Sequence, residues 1–214
     1  MEKFGDITLI NDDCMNILWK LPDKCFDLAI VDPPYGIKIN ESIGKRKGMK
    51  HRGRKKAYWD NEIPCINYFN ELFRVSKNQI VWGANYFISK MPYDSSCWII
   101  WDKKFSEKVT FSQYEMAWTS FTTTCKKFEK SPTTHEFKFH PTQKPVALYK
   151  WLLKNYARLG DKILDTHLGS GSICIACDEM EFELTGIELD KEYYEAAKKR
   201  LITHQLQMKL NFNN

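Results

Sequence analysis

The apolar run Phe26-Asp27-Leu28-Ala29-Ile30-Val31 meets a hard stop at Asp32-Pro33-Pro34-Tyr35. The run reads as a short strand buried on both faces, as in a parallel sheet. It has to end at Asp32, because neither proline can donate to a sheet ladder and each fixes its own φ. An acid, two stiffened carbonyls and an aromatic ring therefore stand together at the carboxyl end of a strand. In open α/β sheets that is where ligands bind. A plain turn is the commoner setting for two prolines, so the four residues need support from the rest of the chain.

The pattern along the chain supplies a sheet around them. Strands are expected at Asp6–Ile10, Gln79–Trp82, Cys97–Trp101, Tyr114–Thr119, Lys162–Asp165 and Leu184–Glu188. Helices are expected at Met15–Leu21, after Pro64, at Ala84–Met91, Pro145–Tyr156 and Ser172–Met180, and in a long final helix with Asp190 as its N-cap. Strands alternating with helices at this spacing predict an α/β fold with a mostly parallel sheet and helices on both faces. Residues 103–139 are rich in Thr, Ser, Lys and Phe and show no helical pattern. They read as an irregular insertion near the active face. A chain of 214 residues with 43% hydrophobic content is expected to form one domain, spanning 1–214.

Charge is concentrated in one place. The net charge is +5, and Lys45, Arg46, Lys47, Lys50, Arg52, Arg54, Lys55 and Lys56 lie in a loop at about 38–58. Taking those eight from +5 leaves −3 for everything else. A basic loop on a mildly acidic body suggests a polyanionic partner met at that loop, with a solvated charged loop as the bland alternative. No apolar run could span a bilayer, and residues 1–6 have no signal-peptide pattern. Seven irregularly spaced cysteines make no disulfide framework, which points to reduced thiols and a cytoplasmic setting. Cys174 and Cys177 fall on one helix without a second pair, and buried packing is their expected role.

Two further stretches carry chemistry. Ile163-Leu164-Asp165 is followed by Thr166-His167-Leu168-Gly169-Ser170-Gly171-Ser172, giving strand, acid, glycine turn and helix. About twenty residues on, Gly186-Ile187-Glu188 ends the next strand with another acid. The layout is that of a nucleotide site, but the three-glycine spacing is missing and Asp165 would repel a pyrophosphate. S-adenosylmethionine, a cationic adenosyl cofactor without phosphate, fits better. Asp165 would face its ammonium and Glu188 its ribose. The third stretch, His140-Pro141-Thr142-Gln143-Lys144-Pro145, is a polar loop entering a helix. Either it only starts the helix, or Thr142, Gln143 and Lys144 reach the cofactor carboxylate.

Asp32–Gly36, His140–Pro145 and Asp165–Ser172, in that order, resemble the amino-group DNA methyltransferases of bacteria and phages. Catalytic tetrapeptide first and glycine turn last is the circularly permuted order of the beta class. The resemblance implies a Rossmann-like S-adenosylmethionine-dependent methyltransferase fold and double-stranded DNA as partner. It places target recognition within about 103–139. Asp32, Pro33, Pro34 and Tyr35 become the catalytic set. Asp13, Cys14, Asp32, His140, Thr142, Gln143, Lys144, Asp165, His167, Gly169, Ser170, Gly171, Ser172, Glu188 and Asp190 become the cofactor set. The family commonly has Pro-Phe where this chain has Thr166-His167, so the His167 ring is expected to supply the packing. No metal is expected. The expected chemistry is attack by an exocyclic amine on the methyl carbon, with Asp32 and the Pro33 carbonyl taking the amine hydrogens and Tyr35 stacking on the base. Adenine is favoured, since cytosine 4-amino enzymes more often begin the tetrapeptide with Ser. An inactive DNA-binding relative is a further alternative. RNA or protein amide methylation is another, though those relatives usually carry Asn in place of Asp32. A homodimer and a cognate restriction enzyme are left open.

Overall fold

A computed structural model of the chain describes residues 1–37, 60–105, 112–131 and 142–212. The strands are β1 (Glu2–Phe4), β2 (Ile7–Asn11), β3 (Phe26–Val31), β4 (Ser76–Trp82), β5 (Trp98–Asp102), β6 (Tyr114–Thr119), β7 (Lys126–Glu129), β8 (Lys162–Asp165) and β9 (Glu183–Glu188). The helices are α1 (Cys14–Leu18), α2 (Ile66–Val75), α3 (Val146–Tyr156), α4 (Ser172–Glu179) and α5 (Lys191–Phe212). The strands form one nine-stranded sheet in the order β1-β2-β9-β8-β3-β4-β6-β5-β7. All strands but β1 and β6 run in one direction.

The period of two along β3 builds both layers of the core. Leu28 and Ile30 pack with Leu148 and Leu152 of α3, Ile173 and Ala176 of α4 and Leu201 of α5. Ala29 and Val31 face the other way, with Leu18 of α1 and Phe69 and Leu72 of α2. Helices therefore cover both faces, as the apolar runs require.

Topology fixes where the site must lie. From β3 the chain passes through α2 to β4 on one side. From β8 it passes through α4 to β9 on the other. Neighbours β3 and β8 are thus the pair at which the winding reverses, and in open α/β sheets ligands bind beyond the carboxyl ends of such a pair. Asp32 follows β3 and Asp165 ends β8, so two of the sequence motifs meet at this switch point.

Some elements differ from the sequence expectation. Ala84–Met91 is two 3₁₀ turns, Ala84–Tyr86 and Ile88–Lys90, rather than an α-helix. The buried residues there, Ala84 and Phe87, are three apart, the repeat of a 3₁₀ turn. Edge strands β1 and β7 were not expected. Both are short and rich in charge, which hides the apolar alternation of a strand. β6 stands as expected, and with β7 it brings part of the 103–139 span into the sheet. Asp190 caps α5, accepting from the Glu192 and Tyr193 amides at 2.8 and 3.2 Å.

Candidate active site

The carboxyl ends of the parallel strands carry a row of acids: Glu188 on β9, Asp165 on β8 and Asp32 after β3. Because β6 is antiparallel, its amino end reaches the same edge, and it brings Glu115 there. Lys103, directly after β5, arrives beside it.

Asp32 is held by two donors. The Tyr35 hydroxyl donates to Oδ1 at 2.5 Å and the Lys144 ammonium to Oδ2 at 2.5 Å. Lys144 also stands 3.0 Å from Glu115 Oε2, and Glu115 Oε1 is 2.5 Å from Lys103 Nζ. Burial pushes the Asp32 carboxyl up, against the pull of Lys144 and with the push of Glu115. Burial works against the Lys144 ammonium, but Asp32 and Glu115 outweigh it and hold its pKa above the ordinary lysine value. Burial and the neighbouring acids raise the Tyr35 phenol well above its usual range, so it remains a donor.

The Tyr35 ring has its own seat. It stacks on Tyr86 at 5.2 Å and 15°. Its surface lies against Gly83, where an added Cβ would come within 2.0 Å of the ring. Gly83 has φ +70°, so both space and backbone call for glycine there. The Tyr35 and Gly36 amides both donate to Asp60 Oδ1, at 2.9 and 3.2 Å, which fixes the turn after the prolines.

At the other side of the switch point Asp165 is 1% exposed. Burial pushes its carboxyl up to about 8, and only partly offset by the His167 amide at 3.0 Å. The glycine turn is tied down from several directions. Glu188 accepts from the Gly169 amide at 2.7 Å and the Asp190 amide at 2.8 Å. Arg200 of α5 donates to the Ser170 carbonyl and the Ser172 hydroxyl at 3.0 and 2.9 Å. Ser170 and Ser172 hydroxyls lie 3.1 Å apart. Gly171 packs so closely on α5 that an added Cβ would meet Ala197 Cβ at 2.9 Å. Burial raises Glu188 as well, though these amides pull it back.

His167 follows Asp165 and Thr166 at the end of β8. Its ring meets Tyr68 edge to face at 5.2 Å, and its Nδ1 is 2.9 Å from the Thr166 hydroxyl, itself 2.7 Å from the Tyr68 hydroxyl. Burial lowers its pKa to about 4, so the ring is neutral. Asp13 caps α1 by accepting from the Met15 amide at 2.9 Å. Cys14 opens that helix, and burial pushes its thiol up to about 12. Asn11, next to this turn, donates to the Glu188 carbonyl at 2.8 Å, so the Asp13 region borders Glu188.

His140 and the eight basic residues Lys45 to Lys56 lie outside the described residues. Lys144, expected at the cofactor carboxylate, has its ammonium on Asp32 and Glu115. Glu115, Lys103, Gly83, Asp60 and Arg200 are site neighbours that the sequence did not single out. For Glu115 the signal was faint: an acid at the start of an otherwise apolar strand. Among the described residues no cluster of His, Cys, Asp and Glu is arranged to hold a metal, and no helix is long and apolar enough to cross a membrane. Cys174 and Cys177 are buried thiols.

A row of acids at the switch point of a doubly wound sheet, with a glycine turn on one side, is the layout of a Rossmann-like fold. Comparison with known proteins narrows it. A family model described as DNA methylase matches residues 94–199. YubD of Escherichia coli is 25% identical over 217 residues, covering 93% of this chain and 92% of that protein. The crystal structure of an M1.HpyAVI complex with SAM superposes with TM-score 0.60 at 23% identity, covering 91% of this chain and 98% of that one. The cytosine-N4-specific PvuII DNA methyltransferase does so with TM-score 0.61 at 11% identity, covering 92% and 89%. The fold is that of the S-adenosylmethionine-dependent DNA methyltransferases. The matches support the amino-group DNA methyltransferases as the family of this chain.

Proposed function

We propose that this protein transfers a methyl group from S-adenosylmethionine to the 6-amino group of adenine in double-stranded DNA. The observation that carries the reading is the pairing at the switch point: a fixed Asp32 carboxylate after β3 beside buried Asp165 at the end of β8. The donor set suits the cofactor. A buried acid pushed up to about 8 gains most from a cation, and Asp165 is such a group. Glu188 keeps acceptor capacity beyond its two amide donors, as a ribose contact requires. Neither acid suits a phosphate.

When bound, the cofactor supplies a methyl group already activated on a sulfonium, whose sulfur takes the electron pair of the broken C–S bond. The protein's part is to prepare the nucleophile. An exocyclic amine has its lone pair drawn into the ring. Asp32 and the Pro33 carbonyl accept hydrogen bonds from its two N–H groups, which turns the nitrogen toward sp³ and frees the pair; once the methyl is on the nitrogen, one of those protons leaves to solvent. Tyr35 stacks on the base once it has left the helix. Asp165, Glu188 and the Gly169–Gly171 turn hold the cofactor, with Asp13, Cys14, His167, Ser170, Ser172 and Asp190 around it. Holding two reactants in line accounts for most of the rate. The basic loop at about 38–58 and the span at about 103–139 supply phosphate contacts and target recognition.

Asp at the head of the tetrapeptide supports adenine. The fold shared with a cytosine-N4 enzyme supports a second reading, methylation of the cytosine 4-amino group by the same chemistry. Incubation of unmethylated genomic DNA with methyl-labelled cofactor, followed by nucleoside analysis, separates them. The expected product is 6-methyladenine. Only 4-methylcytosine would move the protein to the second reading, and no incorporation would overturn both.

A further inference from the structure

The Lys144 ammonium sits within a run of alternating charges, Asp32, Lys144, Glu115 and Lys103. Its side chain is 1% exposed, so water does little to solvate it. Three oxygens surround it: Asp32 Oδ2 at 2.5 Å, Glu115 Oε2 at 3.0 Å and the Tyr35 hydroxyl at 3.3 Å. The Trp82 and Tyr35 rings lie beside it, with centroids at 5.1 and 5.9 Å. The Tyr35 hydroxyl closes the circuit by donating to Asp32 Oδ1. Turning the Asp32 carboxylate would therefore break two hydrogen bonds at once.

Glu115 decides how this lysine behaves. Left with Asp32 alone, a buried ammonium would draw fully onto that carboxylate and compete with any amine donating to it. Without Glu115 the run Asp32, Lys144 and Lys103 would also sum to one positive charge beside a cationic methyl donor. Glu115 removes both problems, and Lys103, on its second oxygen, holds Glu115 in place. We propose that Glu115 is a positioning residue for methyl transfer: it shares the Lys144 ammonium with Asp32, keeping the carboxylate oriented and available, and cancels the lysine charge beside the cofactor. This rests on the S-adenosylmethionine reading above.

The test compares wild type, Glu115→Gln, Lys144→Met and the double variant. Three things are measured: the single-turnover methylation rate, the affinity for S-adenosylmethionine, and the affinity for S-adenosylhomocysteine, whose sulfur is uncharged. Glu115→Gln should lower the rate about ten- to a hundredfold, the scale of losing one close charge pair. It should weaken the sulfonium ligand roughly fivefold more than the uncharged one. Lys144→Met should move that selectivity the opposite way, which a packing defect would not do, and this arm stands even if Glu115→Gln fails to fold. In the Lys144→Met background Glu115→Gln should add little to the loss of rate. Unchanged rate and selectivity in Glu115→Gln, equal weakening of both ligands, or additive losses would overturn the proposal. A wild type that neither binds the cofactor nor methylates DNA would instead overturn the reading beneath it, and that shows in the control.

Discussion

Asp165 gives the residue scale its sharpest test. Its carboxyl lies near 8 in the free protein because it is buried with few donors. Its folded pKa is raised, so the stability it contributes is complete below the unfolded carboxylate range and is lost as pH rises through about 8. A bound cation favours the ionised form and draws the pKa down. Cofactor binding near neutral pH should then release up to about one proton. Affinity should rise from pH 6 toward 8, and Asp165→Asn should abolish the rise; calorimetry in buffers of different ionisation heat measures it. Glu188→Ala should weaken cofactor binding about ten- to a hundredfold, the loss of charged hydrogen bonds worth roughly 1.5–3 kcal/mol. Unchanged affinity would take the ribose contact away from Glu188. The strand-end places of Asp32, Asp165 and Glu188 could be read from the sequence, since each closes an apolar run. Glu115 could not, because its place depends on β6 being antiparallel, which no local pattern records.

At the scale of elements, the turn after β4 carries the next prediction. Gly83 presents its backbone to the Tyr35 ring, with φ +70° and 2.0 Å to an added Cβ. Gly83→Ala must strain the turn or push the ring off Tyr86 and Asp32. The cost to stability should be about 1–3 kcal/mol. The methylation rate should fall at least tenfold, by roughly the free energy of one charged hydrogen bond, with cofactor affinity nearly kept. Denaturant titration and single-turnover rates check the two halves, and a wild-type rate would show that the Tyr35 seat does not matter. The main strands were legible because they are apolar and end in acids or glycine. The 3₁₀ turns at Ala84–Lys90 were not, because their length and composition also suit a short helix. Edge strands β1 and β7 were missed because edges are charged by necessity.

Over the whole molecule the division of charge sets the behaviour. The sheet edge gathers acids, while the sequence holds eight basic residues between Lys45 and Lys56. If about half of these meet phosphates, replacing them all with Gln should flatten the slope of log affinity against log salt by roughly 3 to 4 units. The chosen DNA site should persist, because phosphate contacts carry no sequence directly. An unchanged slope in a filter-binding titration would make the loop a solvated surface. The parallel sheet and its switch point followed from strand–helix alternation, but the strand order had to come from the structure. The central claim is that Asp32 acts on the target amine while Asp165 and Glu188 hold the cofactor. Single-turnover methylation and cofactor titration of Asp32→Ala against wild type test it together. The account predicts no detectable methyl transfer with cofactor affinity nearly intact. Near-normal transfer by the folded variant would contradict it.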